Sequence, residues 1–163
     1  MPDGAYEWAL DVQKNNPTVV KTNVGGYQSP DTCDWTNMKY FQHIKKALRF
    51  LPAFEFSNWW LNINKKGDYN HWHSHPGCEL SGIWYITENY NSLEFRHPLQ
   101  HVRTPLLFSM NELSDITMNC NAGDLLIFRS DLVHCVNEHV EEASRISVSF
   151  NIFLPKEKAY VNS

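Results

Sequence analysis

Polar and apolar residues alternate most regularly near the end of the chain. Arg145, Ser147, Ser149 and Asn151 alternate with Ile146, Val148, Phe150 and Ile152. Because successive side chains of a strand point to opposite faces, residues 144–154 are predicted to form a strand with one polar and one apolar face. The apolar face needs a cover, and the polar face would then look into the interior of the protein.

One segment has clear helical periodicity and can provide that cover. Apolar residues recur there three or four positions apart, at Met38, Phe41, Ile44, Leu48 and Leu51. The spacing predicts an amphipathic helix over residues 36–50. Asp34 or Thr36 can cap it and Pro52 would end it. Residues 1–17 show little pattern.

The remaining chain is rich in short aromatic and β-branched segments, which are typical of strands. Together with the last segment, these predict strands over residues 19–24, 54–63, 70–75, 80–87, 92–96, 116–120, 125–128, 133–137 and 144–154. Asn121-Ala122-Gly123-Asp124 has the chemistry of a tight turn and predicts that its flanking strands pair as an antiparallel hairpin. The pattern predicts a mainly β fold, a double-stranded β-helix (the jelly roll that cupins also use), with an N-terminal helix on its outer face.

The composition limits the partners. At 163 residues and 42% hydrophobic residues, we expect one domain over residues 1–163, with a barrel core of about 54–154. The net charge of -4 and the lack of a Lys/Arg run argue against nucleic acid or an anionic membrane as the main partner. A small molecule or a protein side chain is the default partner. The oligomeric state is not predicted.

The cysteines and the N-terminus favour a cytoplasmic location. Four cysteines occur without a Cys-x-x-Cys pair, which argues against a zinc knuckle or a dithiol redox motif and favours reduced thiols. The N-terminus lacks the basic and apolar regions of a signal peptide, and no apolar run approaches the roughly 20 residues of a membrane span.

Two histidines stand two positions apart in a predicted strand. His73 and His75 can therefore present both imidazoles to one point, which suggests a metal. Eight histidines make one such pair unsurprising by chance, and two neighbouring ligands hold a metal weakly. A third ligand from a distant strand is required, and His134 is the candidate. His71, on the same predicted strand face, and Glu79 are the rivals of His75 for a place at the metal.

An arginine lies on the inward polar stripe of the last strand. Arg145 can bind a carboxylate through two parallel hydrogen bonds, and Ser147 on the same face can add a hydroxyl. An inward arginine is costly unless it is paired, so the barrel must hold an anion or an acidic side chain of its own. The sequence leaves both alternatives open.

Four motifs carry a resemblance to a known family. They are Trp72-His73-Ser74-His75-Pro76, Ser81-Gly82-Ile83-Trp84-Tyr85-Ile86, Gly123-Asp124-Leu125-Leu126-Ile127-Phe128 with His134, and Arg145-Ile146-Ser147-Val148-Ser149-Phe150-Asn151. Together they resemble the iron(II)- and 2-oxoglutarate-dependent oxygenases. The likeness is greatest to a group of small members with a His-x-His-Pro motif, and it covers most of the chain.

The resemblance implies roles for individual residues. His73 would be the first metal ligand and His134 the distal one. Arg145 and Ser147 would bind the far carboxylate of 2-oxoglutarate. Tyr85 matches a tyrosine that helps to hold this cosubstrate in prolyl-hydroxylase-like members.

Two positions extend or depart from the family pattern. Asn62 is a weaker candidate for the cosubstrate pocket. His75 is a departure, because most of the superfamily has Asp there. A site of three imidazoles also suits zinc, copper and nickel, which opens the question of the metal.

The resemblance implies an Fe(II)- and 2-oxoglutarate-dependent dioxygenase that hydroxylates a substrate and releases succinate and CO2. One alternative is a cupin-type dioxygenase or isomerase with Glu79 as a fourth ligand. Another is a non-catalytic barrel that binds a ligand. Four tryptophans could line the substrate mouth or simply pack the core: Trp59, Trp60, Trp72 and Trp84.

Overall fold

The computed structural model describes residues 1–51, 53–97 and 115–155. Its helices are α1 (Ala5–Asn15) and α2 (Phe41–Ala47), with a 3-10 turn at Trp35–Asn37. Its strands are β1 (Asn23–Val24), β2 (Tyr27–Gln28), β3 (Glu55–Asn64), β4 (Tyr69–His73), β5 (Leu80–Tyr85), β6 (Asn89–Phe95), β7 (Ile116–Cys120), β8 (Leu125–Arg129), β9 (His134–Val136) and β10 (Arg145–Phe153). The predicted mainly β class is confirmed.

The described strands form two antiparallel five-stranded sheets that face each other. The sheet with the shorter strands, called the smaller sheet, has the order β1-β4-β9-β6-β7. The larger sheet has the order β2-β3-β10-β5-β8. Strand β10 lies at the centre of the larger sheet, between β3 and β5. Successive strands from β3 to β10 largely alternate between the sheets, which is the connectivity of the predicted jelly roll.

The apolar face of β10 packs under the helices, as its alternation predicts. Ile146, Val148, Phe150 and Ile152 are fully buried in one cluster with residues of α1 and α2, among them Ala9 and Ile44. Gly82 of β5 lies directly against the Phe150 ring, where a Cβ atom would collide with it. The helical layer therefore covers the outer face of the larger sheet.

The space between the sheets has an apolar half and a polar half. Residues from β5, β6, β7 and β8 fill the first half: Ile83, Tyr85, Leu93, Phe95, Cys120 and Phe128. The other half is a cavity of about 280 Å³ that receives the polar face of β10. This cavity holds the candidate site.

Helix α1 was not predicted. Its buried residues are Ala5 and Ala9, and Trp8 packs against Tyr40 with ring centroids 5.5 Å apart. Small alanines give a weak hydrophobic signal, and Gly4 at the start provides no side-chain cap. None of the helices in the described ranges is long and apolar enough to cross a bilayer.

The predicted helix over residues 36–50 is shorter in the structure. The 3-10 turn at Trp35–Asn37 precedes α2, and Asp34 caps that turn by accepting a hydrogen bond from the Thr36 amide at 2.9 Å. Pro52 lies outside the described residues. The strand predicted over residues 19–24 is reduced to Asn23–Val24.

The predicted hairpin between β7 and β8 is wrong. Strand β7 pairs with β6 in one sheet, whereas β8 pairs with β5 in the other. The turn that joins them has Gly123 at a φ of 98°, and the Gly123 amide donates to the Tyr85 carbonyl at 2.8 Å. The turn forms at the predicted residues, but it carries the chain from one sheet to the other.

Candidate active site

Three histidines meet at one edge of the cavity. The ring centroids of His73 and His134 lie 4.3 Å apart, and the His75 ring lies 5.2 Å and 5.1 Å from them. One nitrogen of each ring can be chosen so that all three atoms lie within 4.8 Å of one another. Imidazole nitrogens at this spacing could hold a metal ion after small adjustments.

Backbone carbonyls orient two of the rings. Nδ1–H of His73 donates to the His71 carbonyl at 2.7 Å, and Nδ1–H of His134 donates to the Leu132 carbonyl at 2.8 Å. A carbonyl can only accept, so each Nδ1 carries the proton and each Nε2 keeps its lone pair. Ligating histidines usually have such an outer partner.

Side chains orient the third ring. Nδ1 of His75 lies 3.0 Å from Oδ1 of Asn151 and 2.9 Å from the Ser81 hydroxyl. The inward face of β10 supplies Asn151, and the register of β10 with β5 places Ser81 opposite it. Sequence reasoning assigned no role to this pair, because its only signal is the strand register.

Burial keeps the histidines neutral. It lowers the pKa of His75 to about 4 and that of His134 to about 3, and it also lowers the pKa of His73. A neutral imidazole has the lone pair that a metal needs. The three side chains are therefore in the ligating form at neutral pH.

A β-bulge decides which residues of β4 face the cavity. Asn70 and His73 both line the cavity, although their spacing of three would place them on opposite faces of a regular strand. The pairing of β4 with β9 shifts between them, so His71 points outward and is exposed. His75 lies beyond the end of β4, held by its amide donating to the Ser130 carbonyl at 2.8 Å. The convergence of His73 and His75 therefore does not arise from a shared strand face.

Glu79 does not join the histidines. Its side chain is exposed, and its Oε2 accepts a hydrogen bond from the Leu154 amide at 3.1 Å. The cupin interpretation required this carboxylate as a fourth ligand, so that assignment is wrong.

Arg145 is a buried cation at the same cavity. It is 3% exposed, and within the described residues its two terminal nitrogens have no hydrogen-bond partner and no ion pair. Burial lowers the pKa of Arg145 to about 10, although electrostatic interactions with Tyr85 and Asp68 partly oppose this shift. The guanidinium therefore stays charged at neutral pH. The sequence left open whether Arg145 pairs with a bound anion or with an acidic side chain of the protein. Among the described residues, no acidic side chain pairs with it.

Three other predicted residues lie beside Arg145. Ser147 is paired in register with Asn62 on one side and with Tyr85 on the other, and all three line the cavity. The Asn62 amide donates to the Ser149 hydroxyl at 3.0 Å. Burial raises the pKa of Tyr85, so its hydroxyl stays protonated and can donate.

The four tryptophans have different surroundings. Trp60 lines the cavity, with its ring centroid 5.4 Å from that of His75. Trp59 and Trp84 are buried in the core under the helices. Trp72 lies on the outer side of β4, where Arg96 stacks on its ring at 4.1 Å. Only Trp60 can line a substrate mouth here.

The jelly-roll cavity combines three converging imidazoles, which could bind a metal ion, with an arginine that has no partner among the described residues and could bind a carboxylate. Residues 58–151 match the family described as "Putative 2OG-Fe(II) oxygenase". Because this match covers more than half of the chain, the chain belongs to the 2-oxoglutarate- and iron(II)-dependent oxygenase family. Its cofactors are therefore iron(II) and 2-oxoglutarate. No curated protein sequence matches the chain.

Solved structures share the fold at low identity. HygX from Streptomyces hygroscopicus with nickel and 2-oxoglutarate bound has a TM-score of 0.67 at 12% identity, covering 94% of this chain and 79% of that one. A Pseudomonas putida prolyl-4-hydroxylase has a TM-score of 0.59 at 13% identity, covering 93% and 84%. The epimerase SnoN from nogalamycin biosynthesis has a TM-score of 0.67 at 11% identity, covering 94% and 75%.

Proposed function

We propose that the protein hydroxylates a C–H bond of a small molecule or a protein side chain, with release of succinate and CO2. The observation that carries this proposal is that three neutral imidazoles open into the same cavity as the guanidinium of Arg145, whose terminal nitrogens have no partner among the described residues. The imidazoles suit iron, and the guanidinium suits the dianionic cosubstrate. The donors of the cavity thus fit both members of the cofactor pair.

His73, His75 and His134 would hold the iron through their Nε2 atoms. Bound iron and 2-oxoglutarate together supply the oxidising chemistry, while the protein supplies binding and orientation. Buried surroundings and hydrogen bonds at Nδ1 fix the direction of each lone pair before the metal arrives. Little reorganisation is then needed on binding.

Arg145 would bind the far carboxylate of 2-oxoglutarate through its two terminal nitrogens. Such a fork-like pair of hydrogen bonds fixes both position and angle. Ser147 lies two residues further along the same face and would add a hydroxyl. Tyr85 and Asn62 flank Ser147 on the neighbouring strands and would hold the sides of the cosubstrate.

The substrate would enter past Trp60 and a set of uncharged polar groups. The residues that line the cavity include several carboxamides, and within the described chain the charged ones are Lys21 and Arg145, with no carboxylate. Such walls suit a polar substrate without a positive charge. The net charge of -4 argues against a nucleic acid.

The test is turnover of 2-oxoglutarate under air with iron and a panel of candidate substrates. A hydroxylase gives succinate together with a product that has gained one oxygen atom, and that atom comes from O2. Succinate with a product of unchanged or lower mass would point to an epimerase- or cyclase-type outcome. Absence of succinate with every candidate, in protein that binds iron, would support a non-catalytic barrel.

A further inference from the structure

His75 differs from the other two histidines in what fixes its ring. Backbone carbonyls hold His73 and His134, and a backbone carbonyl accepts hydrogen bonds whatever side chain its residue carries. His75 instead faces the side chains of Asn151 and Ser81, each of which has a donor as well as an acceptor. Something else must decide which of their atoms meets the ring.

A chain of hydrogen bonds connects His75 to the surface. From Asn151, Nδ2 donates to Oδ1 of Asn58 at 2.9 Å, and Asn58 Nδ2 donates to Oδ2 of Asp31 at 3.2 Å. Asp31 in turn forms an ion pair with Lys21 at 2.5 Å. The chain therefore runs from a candidate metal ligand through two carboxamides to an ionised carboxylate.

The carboxylate sets the direction of every bond in this chain. Asp31 can only accept, so Asn58 must turn its NH2 group outward and its oxygen inward. That oxygen can only accept from the NH2 group of Asn151, which leaves Oδ1 of Asn151 facing His75. An oxygen at this position requires a proton on Nδ1 of His75, and Nε2 then keeps its lone pair.

The serines beside His75 agree with this direction. Ser81 lies 2.7 Å from Oδ1 of Asn151, to which it donates its only proton. Ser81 can therefore only accept from His75 and from the Ser130 hydroxyl, 2.8 Å away. Both Ser81 and Ser130 are fully buried, so water does not compete for these bonds.

We propose that Asp31, acting through Asn58 and Asn151, is a positioning residue that fixes the tautomer of His75 and so makes it a metal ligand. The backbone supports this placement, because Thr32 and Trp59 exchange two amide hydrogen bonds that hold Asp31 beside Asn58. The hydrogen bond from Lys21 is the main reason that the pKa of Asp31 is lowered, which keeps it an acceptor. The inference rests on the proposed ligand role of His75.

The test is nitrogen-15 NMR of the histidine rings in the metal-free full-length protein. Wild type should show Nδ1–H and an unprotonated Nε2 at His75. Asp31→Asn and Asn58→Leu should each give a mixture of tautomers at His75 alone, with His73 and His134 unchanged as internal controls. Matched controls are Glu142→Gln, which breaks the exposed Lys66–Glu142 ion pair, and Asn70→Leu at another carboxamide of the cavity.

Metal affinity gives a second readout. Loss of an outer partner of a ligand typically lowers affinity about 10- to 100-fold, and we expect about tenfold in Asn58→Leu and in Asp31→Asn. Adding Asn151→Asp to Asp31→Asn should restore the tautomer, because a carboxylate at position 151 accepts directly from His75. Asn58 can then reverse its amide to donate to that carboxylate.

The outcomes separate this inference from the proposed function. An unchanged His75 tautomer in both Asp31→Asn and Asn58→Leu would overturn the positioning role, even in an active oxygenase. The expected tautomer shift and rescue would support that role even if no substrate were turned over. Equal changes at all three rings would also contradict it, since they would indicate a general structural effect.

Discussion

The two ends of the cavity are prepared in opposite ways. At the histidine end, every Nδ1 already has a partner within the protein. At the other end, the terminal nitrogens of Arg145 have none among the described residues. The proposed metal end is therefore preorganised by internal hydrogen bonds, whereas at the proposed cosubstrate end the described residues leave the guanidinium without a partner.

This difference has an energetic consequence. A buried charge without a partner destabilises the folded protein, whereas neutral imidazoles with satisfied Nδ1 atoms do not. A carboxylate that binds Arg145 gains charge-assisted hydrogen bonds and also relieves this destabilisation. We therefore expect the cosubstrate to stabilise the fold more than its few contacts suggest.

The largest expected effect is removal of a ring from the metal end. His134→Ala or His73→Ala should abolish metal binding, a greater loss than the roughly 10- to 100-fold that follows removal of an outer partner. Metal analysis after dialysis against iron measures it. His71→Ala is the matched control, because that ring is exposed on the outer side of β4. Full occupancy in either ligand variant would disprove the site.

At the proposed cosubstrate end, Arg145→Leu should lower the binding free energy of 2-oxoglutarate by about 1–3 kcal/mol, which is a roughly 5- to 150-fold loss of affinity. The metal should stay bound. The same variant should be as stable as wild type or more so in the absence of ligand, because it removes a buried charge that has no partner among the described residues. Calorimetric titration and thermal unfolding measure the two effects.

Arg129→Leu is the control for this prediction, since Arg129 is an exposed arginine paired with Asp131. Unchanged 2-oxoglutarate affinity in Arg145→Leu would place the cosubstrate elsewhere. A large loss of unfolding temperature in the ligand-free variant would show that Arg145 has a partner that the described residues do not supply.

His75 tests whether the metal end needs its third imidazole. His75→Ala should lower iron affinity by at least about tenfold, since it removes one of three donors.

His75→Asp should retain iron and reduce competition by zinc, because a carboxylate is a harder ligand than imidazole and removes one unit of positive charge from the site. Competitive metal binding measures this, with Glu79→Ala as the control. Metal loss in Glu79→Ala but not in His75→Ala would reverse the assignment.

Sequence reasoning succeeded where a local period determines the structure. The alternation in β10 depends only on its being a strand, so it correctly separated the face with Arg145 from the face that packs under the helices. The same alternation also placed Asn151 inward. The predicted double-stranded β-helix followed from the number of short strand segments, the covering helix and this inward polar face.

Sequence reasoning failed where the pairing of distant segments determines the structure. The bulge that turns His71 outward arises from the register of β4 against β9, to which the sequence of β4 alone gives no clue. The turn at Gly123 was recognised, but which sheet each flanking strand joins depends on packing. The pairing of Asn151 with Asn58 and Asp31 joins three distant segments, and nothing local to any of them predicts it.

The smallest expected effect locates the boundary between the two ends. Ser147 lies next to Arg145 on the inward face of β10, and Ser149 lies one step nearer the histidines, where its hydroxyl already accepts from Asn62. Ser147→Ala should lower 2-oxoglutarate affinity by about 0.5–1.5 kcal/mol, or roughly two- to tenfold, because one hydrogen bond to the carboxylate is lost. Ser149→Ala, the matched control, should have less effect. If calorimetry finds the larger loss in Ser149→Ala, the cosubstrate carboxylate lies nearer the histidines than Arg145 would place it, and the division of the cavity into two ends is wrong.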